Sequence, residues 1–355
     1  MSGSLIDWGV ARRVAVGVAG DPRRPLPAVL GAAGLSSSCA EAELLVRGYA
    51  RLDPAGELPA PEPVDRAEWA GAVLGTLRDL AVTLEGESRL EISLPGPLGG
   101  LARSLVGVAT GTEVGLAAGY AARRVLGQYD LSLVGPPRPA RLLFVAPNLA
   151  SAARELGVPL EPFVRWVALH ETTHAVQFGA APWLREHLGE LIRTLLRGVV
   201  ENAGLGQFAR RVVRDPKGAI SSLLRGEIAA GIAGPEQGPT LDRIQAAMTL
   251  VEGHAEHVMD GAAAEFVPGV ADLRERIERR RRSRGPLETI LARLLGLDLK
   301  LRQYELGKRF CDSVADRAGI DGLNRAFAGA EELPTLAELE RPEAWLARMG
   351  VPAHA

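Results

Sequence analysis

The sequence has few of the features that mark exported, nucleic-acid-binding or membrane proteins. Its two cysteines, Cys39 and Cys311, stand far apart among 355 residues, so we expect two unpaired thiols and neither a disulfide framework nor a paired-cysteine metal site. The formal net charge is only -2, which argues against a nucleic-acid partner. No apolar run reaches about 18 residues, so no transmembrane span is predicted. The N-terminal sequence lacks a signal-peptide pattern, which predicts a cytoplasmic location.

Histidine is also scarce, with six in all, yet two of them form an HETTH motif that begins at His170 and ends at His174. The surrounding segment, 160–179, has the pattern of one helix. Two imidazoles four residues apart lie one turn above each other on a helix, where both can reach a single ion. This pair suits zinc, and Glu171 is placed to hold a water in the open coordination position. The alternative is an accidental motif on a core helix.

A second cluster of ligand-type residues lies in a helix predicted at 241–260. Glu252 falls on the apolar face of this helix, where a buried carboxylate needs a partner such as zinc. Glu256 lies one turn on, nearer the polar edge, and suits a role beside the site or in solvent. His254 and His257 point away from Glu252 and are candidates for stabilising a developing oxyanion, with satisfied core histidines as the alternative.

Two further segments are candidates for contact with a substrate. Residues 141–146 predict a strand, which is either an edge strand that aligns an extended peptide or an ordinary core strand. Tyr304 lies on the amphipathic stripe of a helix predicted at 287–318. It is a candidate for hydrogen bonding to the transition state, with a core tyrosine as the alternative.

Two helices of the N-terminal half can be assigned faces from their spacing. A helix predicted at 36–50 is expected to turn Ala40, Leu44, Leu45 and Tyr49 inward. Within 98–127, glycine recurs every four residues and predicts a flat seam along one face of a helix. The seam comprises Gly107, Gly111, Gly115 and Gly119. Because charged residues interrupt this segment, the seam favours a soluble helix closely approached by a neighbour over a pair of membrane helices.

These segments resemble a zincin-like family of actinobacterial proteins that are described as zinc-dependent metalloproteases or hydrolases and are associated by genome context with biosynthesis of the deazaflavin coenzyme. The matching stretches span nearly the whole chain and include IDWGVA, VLGQYDLSL, LLFVAPNL, WVALHETTHAVQF, PWLREHL, LVEGHAEHVMDG and LDLKLRQYELGKRF. The resemblance implies zinc bound by His170, His174 and Glu252, with Glu171 as the catalytic acid/base.

We therefore predict a mainly α-helical, zincin-like fold with a small β element near the active-site helix. It is expected to form a single unit over 1–355, with a helical half at 1–135 and a catalytic half at 136–355. The predicted function is zinc-dependent hydrolysis of a peptide bond, with Glu171 as general base. The alternatives are hydrolysis of a small amide metabolite at the same site, a non-catalytic zinc-stabilised scaffold, and a metal-free helical interaction protein.

Overall fold

The computed structural model describes residues 6–20, 26–87, 97–201, 237–282 and 297–350. This part of the chain is mainly helical with a small sheet, as predicted. Its helices are α1 Trp8–Ala19, α2 Ala32–Ala50, α3 Arg66–Glu87, α4 Pro97–Ala122, α5 Ala146–Leu156, α6 Leu160–Ala180, α7 Pro182–Glu201, α8 Gly238–Phe266, α9 Val270–Arg282, α10 Leu297–Asn324, α11 Leu336–Glu340 and α12 Pro342–Met349. Its strands are β1 Pro61–Val64, β2 Gly127–Asp130 and β3 Arg141–Val145. Within these ranges, no helix combines the length and apolar character required to cross a bilayer.

Contacts group the chain into two compact units. The first comprises Met1–Cys39 and Pro59–Glu171, and the second comprises Ala40–Leu58 and Thr172–Ala355. The boundaries fall inside α2, between Leu58 and Pro59, and inside α6. The predicted division at residue 135 remains a prediction. Both cysteines are buried, and no disulfide joins them.

The glycine seam of α4 is the surface on which α1 packs, which confirms the interpretation as a helix closely approached by a neighbour. A Cβ added at Gly115 would lie 2.4 Å from the backbone oxygen of Ala11, and one added at Gly119 would lie 2.6 Å from that of Ala15. Since real Cβ atoms do not approach oxygen so closely, the two backbones can touch only because these positions are glycine. The N–H of Asp7 also donates to the carbonyl of Gly107 at 2.9 Å.

The sheet of the first unit has the order β1-β3-β2, with β1 parallel and β2 antiparallel to β3. The predicted strand at 141–146 is therefore present, but it is the central strand and not an edge. Its residues 142–145 are buried in the core, as the core-strand alternative requires. Strand β1 was not predicted, because it follows a Pro-rich loop and carries Pro61 and Pro63. Proline is tolerated there because β1 is an edge strand.

The helix predicted at 36–50 is present and begins four residues earlier than expected, but its predicted inward face is only partly correct. Leu45 and Tyr49 are half-buried, whereas Ala40 is exposed and Leu44 is 75% exposed. The buried positions of 36–50 are Ser38, Cys39, Ala42, Val46 and Ala50. The prediction followed the largest apolar side chains. In this close-packed helix, smaller residues occupy the interior, and Leu44 lies on the surface.

In the second unit, α8 and α10 cross at a pair of glycines. A Cβ at Gly253 would lie 2.1 Å from the carbonyl carbon of Gly307, and one at Gly307 would lie 2.0 Å from the oxygen of Thr249. Each glycine belongs to one of the sequence stretches that carry the family resemblance. The crossing brings α10 against the backbone of α8 immediately beside Glu252.

Candidate metal centre

The HETTH motif lies within α6, on a helix one residue longer than predicted. His170 and His174 are one turn apart on it. Three ligand atoms lie within 4.8 Å of one another: one ring nitrogen of each histidine and a carboxylate oxygen of Glu252. The Glu252 oxygen is 3.4 Å from Nε2 of His174. Two imidazole nitrogens and one carboxylate oxygen are a donor set that zinc uses in hydrolytic sites, so these residues fit the ion that the motif predicts.

Glu252 is positioned by α8, a helix that is buried nearly all round from Ala246 to Met259. Glu252 is only 9% exposed. A carboxylate with so little contact with water is stable as an anion only beside positive charge or hydrogen-bond donors, and a cation would supply the positive charge. Glu256, one turn further along α8, instead accepts a hydrogen bond from Arg274 at 3.3 Å. The structure therefore brings Glu252, and not Glu256, to the two imidazoles.

The ring of His170 stacks on that of Trp166, one turn earlier on α6. Their centroids are 6.4 Å apart and the planes differ by 8°. Trp166 is almost completely buried, so its indole has little freedom to move and restricts the orientation of the imidazole. A ligand held in one orientation before the ion arrives loses less conformational freedom on binding.

Glu171 is buried beside the edge strand β2. Its Oε2 accepts a hydrogen bond from the backbone N–H of Tyr129 at 3.0 Å. Gly127, two residues earlier on the strand, is so close that an added Cβ would lie 2.6 Å from the Cγ of Glu171 and 2.9 Å from its Oε1. The strand thus orients the carboxylate through an amide and through the missing side chain of a glycine. Neither Gly127 nor Tyr129 was identified as part of the site from the sequence, because no local sequence pattern indicates that 127–130 lies against α6.

Gln177 is a third residue that the sequence did not single out. Its Oε1 lies 2.9 Å from Nδ1 of His174, and its Nε2 lies 2.9 Å from the carbonyl of Val251 and 2.8 Å from Nδ1 of His254. The only available signal was its position three residues after His174, which places it on the same helix face.

His254 is fully buried, and its ring packs edge-on against Phe327 with centroids 4.8 Å apart. Burial, with the nearby charges of His257 and His174, lowers the pKa of His254 to about 3. The imidazole is therefore neutral at physiological pH. Its predicted role in stabilising an oxyanion remains a prediction, and its contacts are those of a residue that holds Gln177.

His257 lies between two polar partners, with Nε2 3.2 Å from the hydroxyl of Tyr49 and Nδ1 2.7 Å from Asp312. Asp312 in turn accepts a hydrogen bond from Lys308 at 2.5 Å. Lys308 also pairs with Asp260 at 2.9 Å. Both ring nitrogens of His257 are thus engaged within the protein, as the core-histidine alternative predicts, while its proposed catalytic role remains untested. Tyr304 belongs to α10, but its side chain lies outside the described residues.

The chain was compared with known proteins. The sequence profile of the family described as zincin-like metallopeptidase matches residues 6–346. Among solved structures, a protein from Chloroflexus aurantiacus, provisionally described as a hydrolase with a novel fold, is similar at 30% sequence identity and a TM-score of 0.67. The similarity covers 97% of this chain and 99% of that one. No curated protein matches. The expected association with deazaflavin biosynthesis remains a prediction.

Proposed function

The chain belongs to the zincin-like metallopeptidase family, and we propose that it is a zinc-dependent hydrolase that cleaves a peptide bond with Glu171 as general base. The observation that carries the proposal is the grouping of the half-buried His170 and His174 with the buried Glu252, with Glu171 next to His170 on the same helix. A structural role alone would not require a carboxylate at 171. At this position of the motif, a glutamate can act as the general base that accepts a proton from water.

His170, His174 and Glu252 would hold the metal. When bound, zinc supplies Lewis-acid chemistry, lowering the pKa of water and polarising a carbonyl group. The negative charge of Glu252 favours a divalent cation over a neutral partner. Three protein ligands would leave a position for water, as in other catalytic zinc sites.

Glu171 performs the proton transfers in this proposal. Its carboxylate takes a proton from the attacking water and later gives that proton to the departing amine. The hydrogen bond from the Tyr129 N–H holds Oε2 in place and stabilises the ionised form, the form that a base requires. Burial beside Gly127 restricts the remaining rotation of the side chain. The result is a base with a defined orientation before substrate arrives.

The test is a comparison of wild type with Glu171→Gln and His174→Ala. A peptide library is digested with each zinc-loaded protein, and metal content is measured by elemental analysis. We expect one zinc per chain in wild type and in Glu171→Gln, with the latter losing hydrolysis by about 10²- to 10⁴-fold because it has no base. His174→Ala should lose both zinc and activity.

Thr172→Val is the matched control, because the hydroxyl of Thr172 is buried on the same helix without a hydrogen-bond partner in the described residues. It should retain both zinc and turnover. Hydrolysis that persists in Glu171→Gln would refute the mechanism. Zinc binding by wild type without cleavage of any peptide would contradict the peptidase proposal. Cleavage of small amides would then support the metabolite hydrolase, and its absence would support the scaffold.

A further inference from the structure

The contacts of Gln177 determine which of its two side-chain ends faces His174. Gln177 is 0% exposed, so water does not compete for its amide. We infer that Gln177, supported by His254, is a positioning residue that holds the ring proton of His174 on Nδ1 and leaves Nε2 available to the metal. This inference deepens the proposed function and rests on its assignment of His174 as a ligand.

The argument starts from the carbonyl of Val251. A backbone carbonyl can only accept a hydrogen bond, so the Gln177 atom 2.9 Å from it must be the donating NH₂ group. The amide oxygen is then the atom 2.9 Å from His174. Turning the amide over would place its oxygen against the oxygen of Val251 in the interior, where two acceptors repel each other and no hydrogen bond can form between them. The backbone of α8 thereby fixes the orientation of a side chain on α6.

The amide oxygen in turn fixes the tautomer of His174. Since this oxygen accepts, Nδ1 of His174 must carry the proton, and in a neutral imidazole Nε2 then has the free lone pair. Nε2 is the nitrogen 3.4 Å from the Glu252 carboxylate. The opposite tautomer would place a hydrogen on Nε2, where it would block coordination.

His254 receives the second N–H of the amide. Its Nδ1 lies 2.8 Å from Nε2 of Gln177 and must accept, so its proton belongs on Nε2. Nε2 of His254 has no hydrogen-bond partner within the described part of the chain. The contact with Gln177 is therefore the one side-chain hydrogen bond of His254 within those residues. His174 and His254 are therefore assigned opposite tautomers. A bridging amide, with an acceptor at one end and donors at the other, produces this pairing.

The tautomers can be read from long-range ¹H–¹⁵N NMR spectra of the imidazole rings in the metal-free full-length protein, with single histidine substitutions to assign the signals. We expect the His174 proton on Nδ1 and the His254 proton on Nε2. Gln177→Leu should abolish the preference at His174. In a competition assay against a chromophoric chelator, the same variant should bind zinc about 10- to 100-fold more weakly. This is the usual effect of removing the hydrogen-bond partner of a metal-binding histidine.

Gln177→Glu separates the two ends of the amide, because it keeps an acceptor opposite Nδ1 of His174 but replaces the donor that faces the carbonyl of Val251 with an oxygen. It should keep the His174 proton on Nδ1 and a zinc affinity within a few-fold of wild type, while its free energy of unfolding should fall. Thr249→Val, which removes a buried α8 hydroxyl without a hydrogen-bond partner in the described residues, is the control and should leave tautomers and affinity unchanged. A His174 proton on Nε2 in wild type would overturn the inference even if Gln177→Leu does not fold, and so would wild-type zinc affinity in Gln177→Leu. Failure of wild type to bind zinc would instead refute the proposed function, while the spectra would still decide the tautomer.

Discussion

Replacing Gly127 with alanine should impair the proposed base while leaving the metal ligands intact. The added Cβ would lie 2.6 Å from Cγ, 2.9 Å from Oε1 and 3.0 Å from Cδ of Glu171, and these are its three nearest contacts. Carbon atoms normally approach to about 3.5–4.0 Å, so the carboxylate or the strand must move by about 1 Å. Gly127 is not among the glycines with positive φ, so the effect comes from the contact and not from backbone strain.

A displacement of about 1 Å at a reacting group costs on the order of 10²-fold in rate. We therefore expect Gly127→Ala to reduce kcat by about that factor, with zinc affinity unchanged because the three nearest contacts of the new methyl group all belong to Glu171 and not to His170, His174 or Glu252. Overpacking should also lower the free energy of unfolding by about 1–3 kcal/mol.

The measurements are kcat and KM on the best peptide from the library, zinc content, and urea denaturation. Gly71→Ala is the matched control, because a Cβ there meets no atom within 4 Å, and it should retain wild-type kinetics. A kcat within about threefold of wild type in Gly127→Ala would show that the strand does not position the base, and the reasoning would be refuted.

The remaining predictions concern stability and its dependence on pH. Gly115→Ala should lower the free energy of unfolding by at least about 1–3 kcal/mol, because its Cβ would meet a backbone oxygen of α1 at 2.4 Å, whereas Gly17→Ala, with nothing within 4 Å, should raise it by up to about 1 kcal/mol. Urea denaturation that ranks the two alike would contradict this account. Burial would raise the pKa of Asp312, but hydrogen bonds from Lys308 and His257 outweigh it and lower that pKa below its ordinary value of 3.8. This carboxylate therefore stabilises the fold above its unfolded pKa and loses that effect as the pH falls through the lower folded pKa. Asp312→Asn should thus lower the free energy of unfolding more at pH 7 than at pH 3. An equal decrease at the two pH values would refute this role of Asp312.

The parts of the site that local spacing determines were predictable. His170 and His174 share a face because the helical period places residues four apart together, and that geometry is independent of the rest of the fold. Glu252 could be ranked above Glu256 because a carboxylate on an apolar helix face requires a partner. The glycine seam was interpretable for the same reason, since four-residue recurrence implies a flat stripe whatever packs on it.

The parts that depend on distant chain segments were not predictable. Gly127 matters because β2 lies against Glu171, 44 residues later, and no local pattern indicates such a neighbour. The amide of Gln177 acquires its role from a carbonyl of α8. The inward face of α2 was partly misassigned because the phase of a helix is set by what packs on it, and the large side chain of Leu44 was taken to be buried when it is exposed.

The central claim is that His170, His174 and Glu252 bind one zinc ion. Diffraction data collected above and below the zinc absorption edge from zinc-loaded crystals test it most directly. We expect one anomalous peak about 2.0–2.1 Å from a ring nitrogen of each histidine and about 2.0–2.2 Å from a carboxylate oxygen of Glu252. A peak elsewhere in the chain, or none in crystals of the loaded protein, would contradict the account.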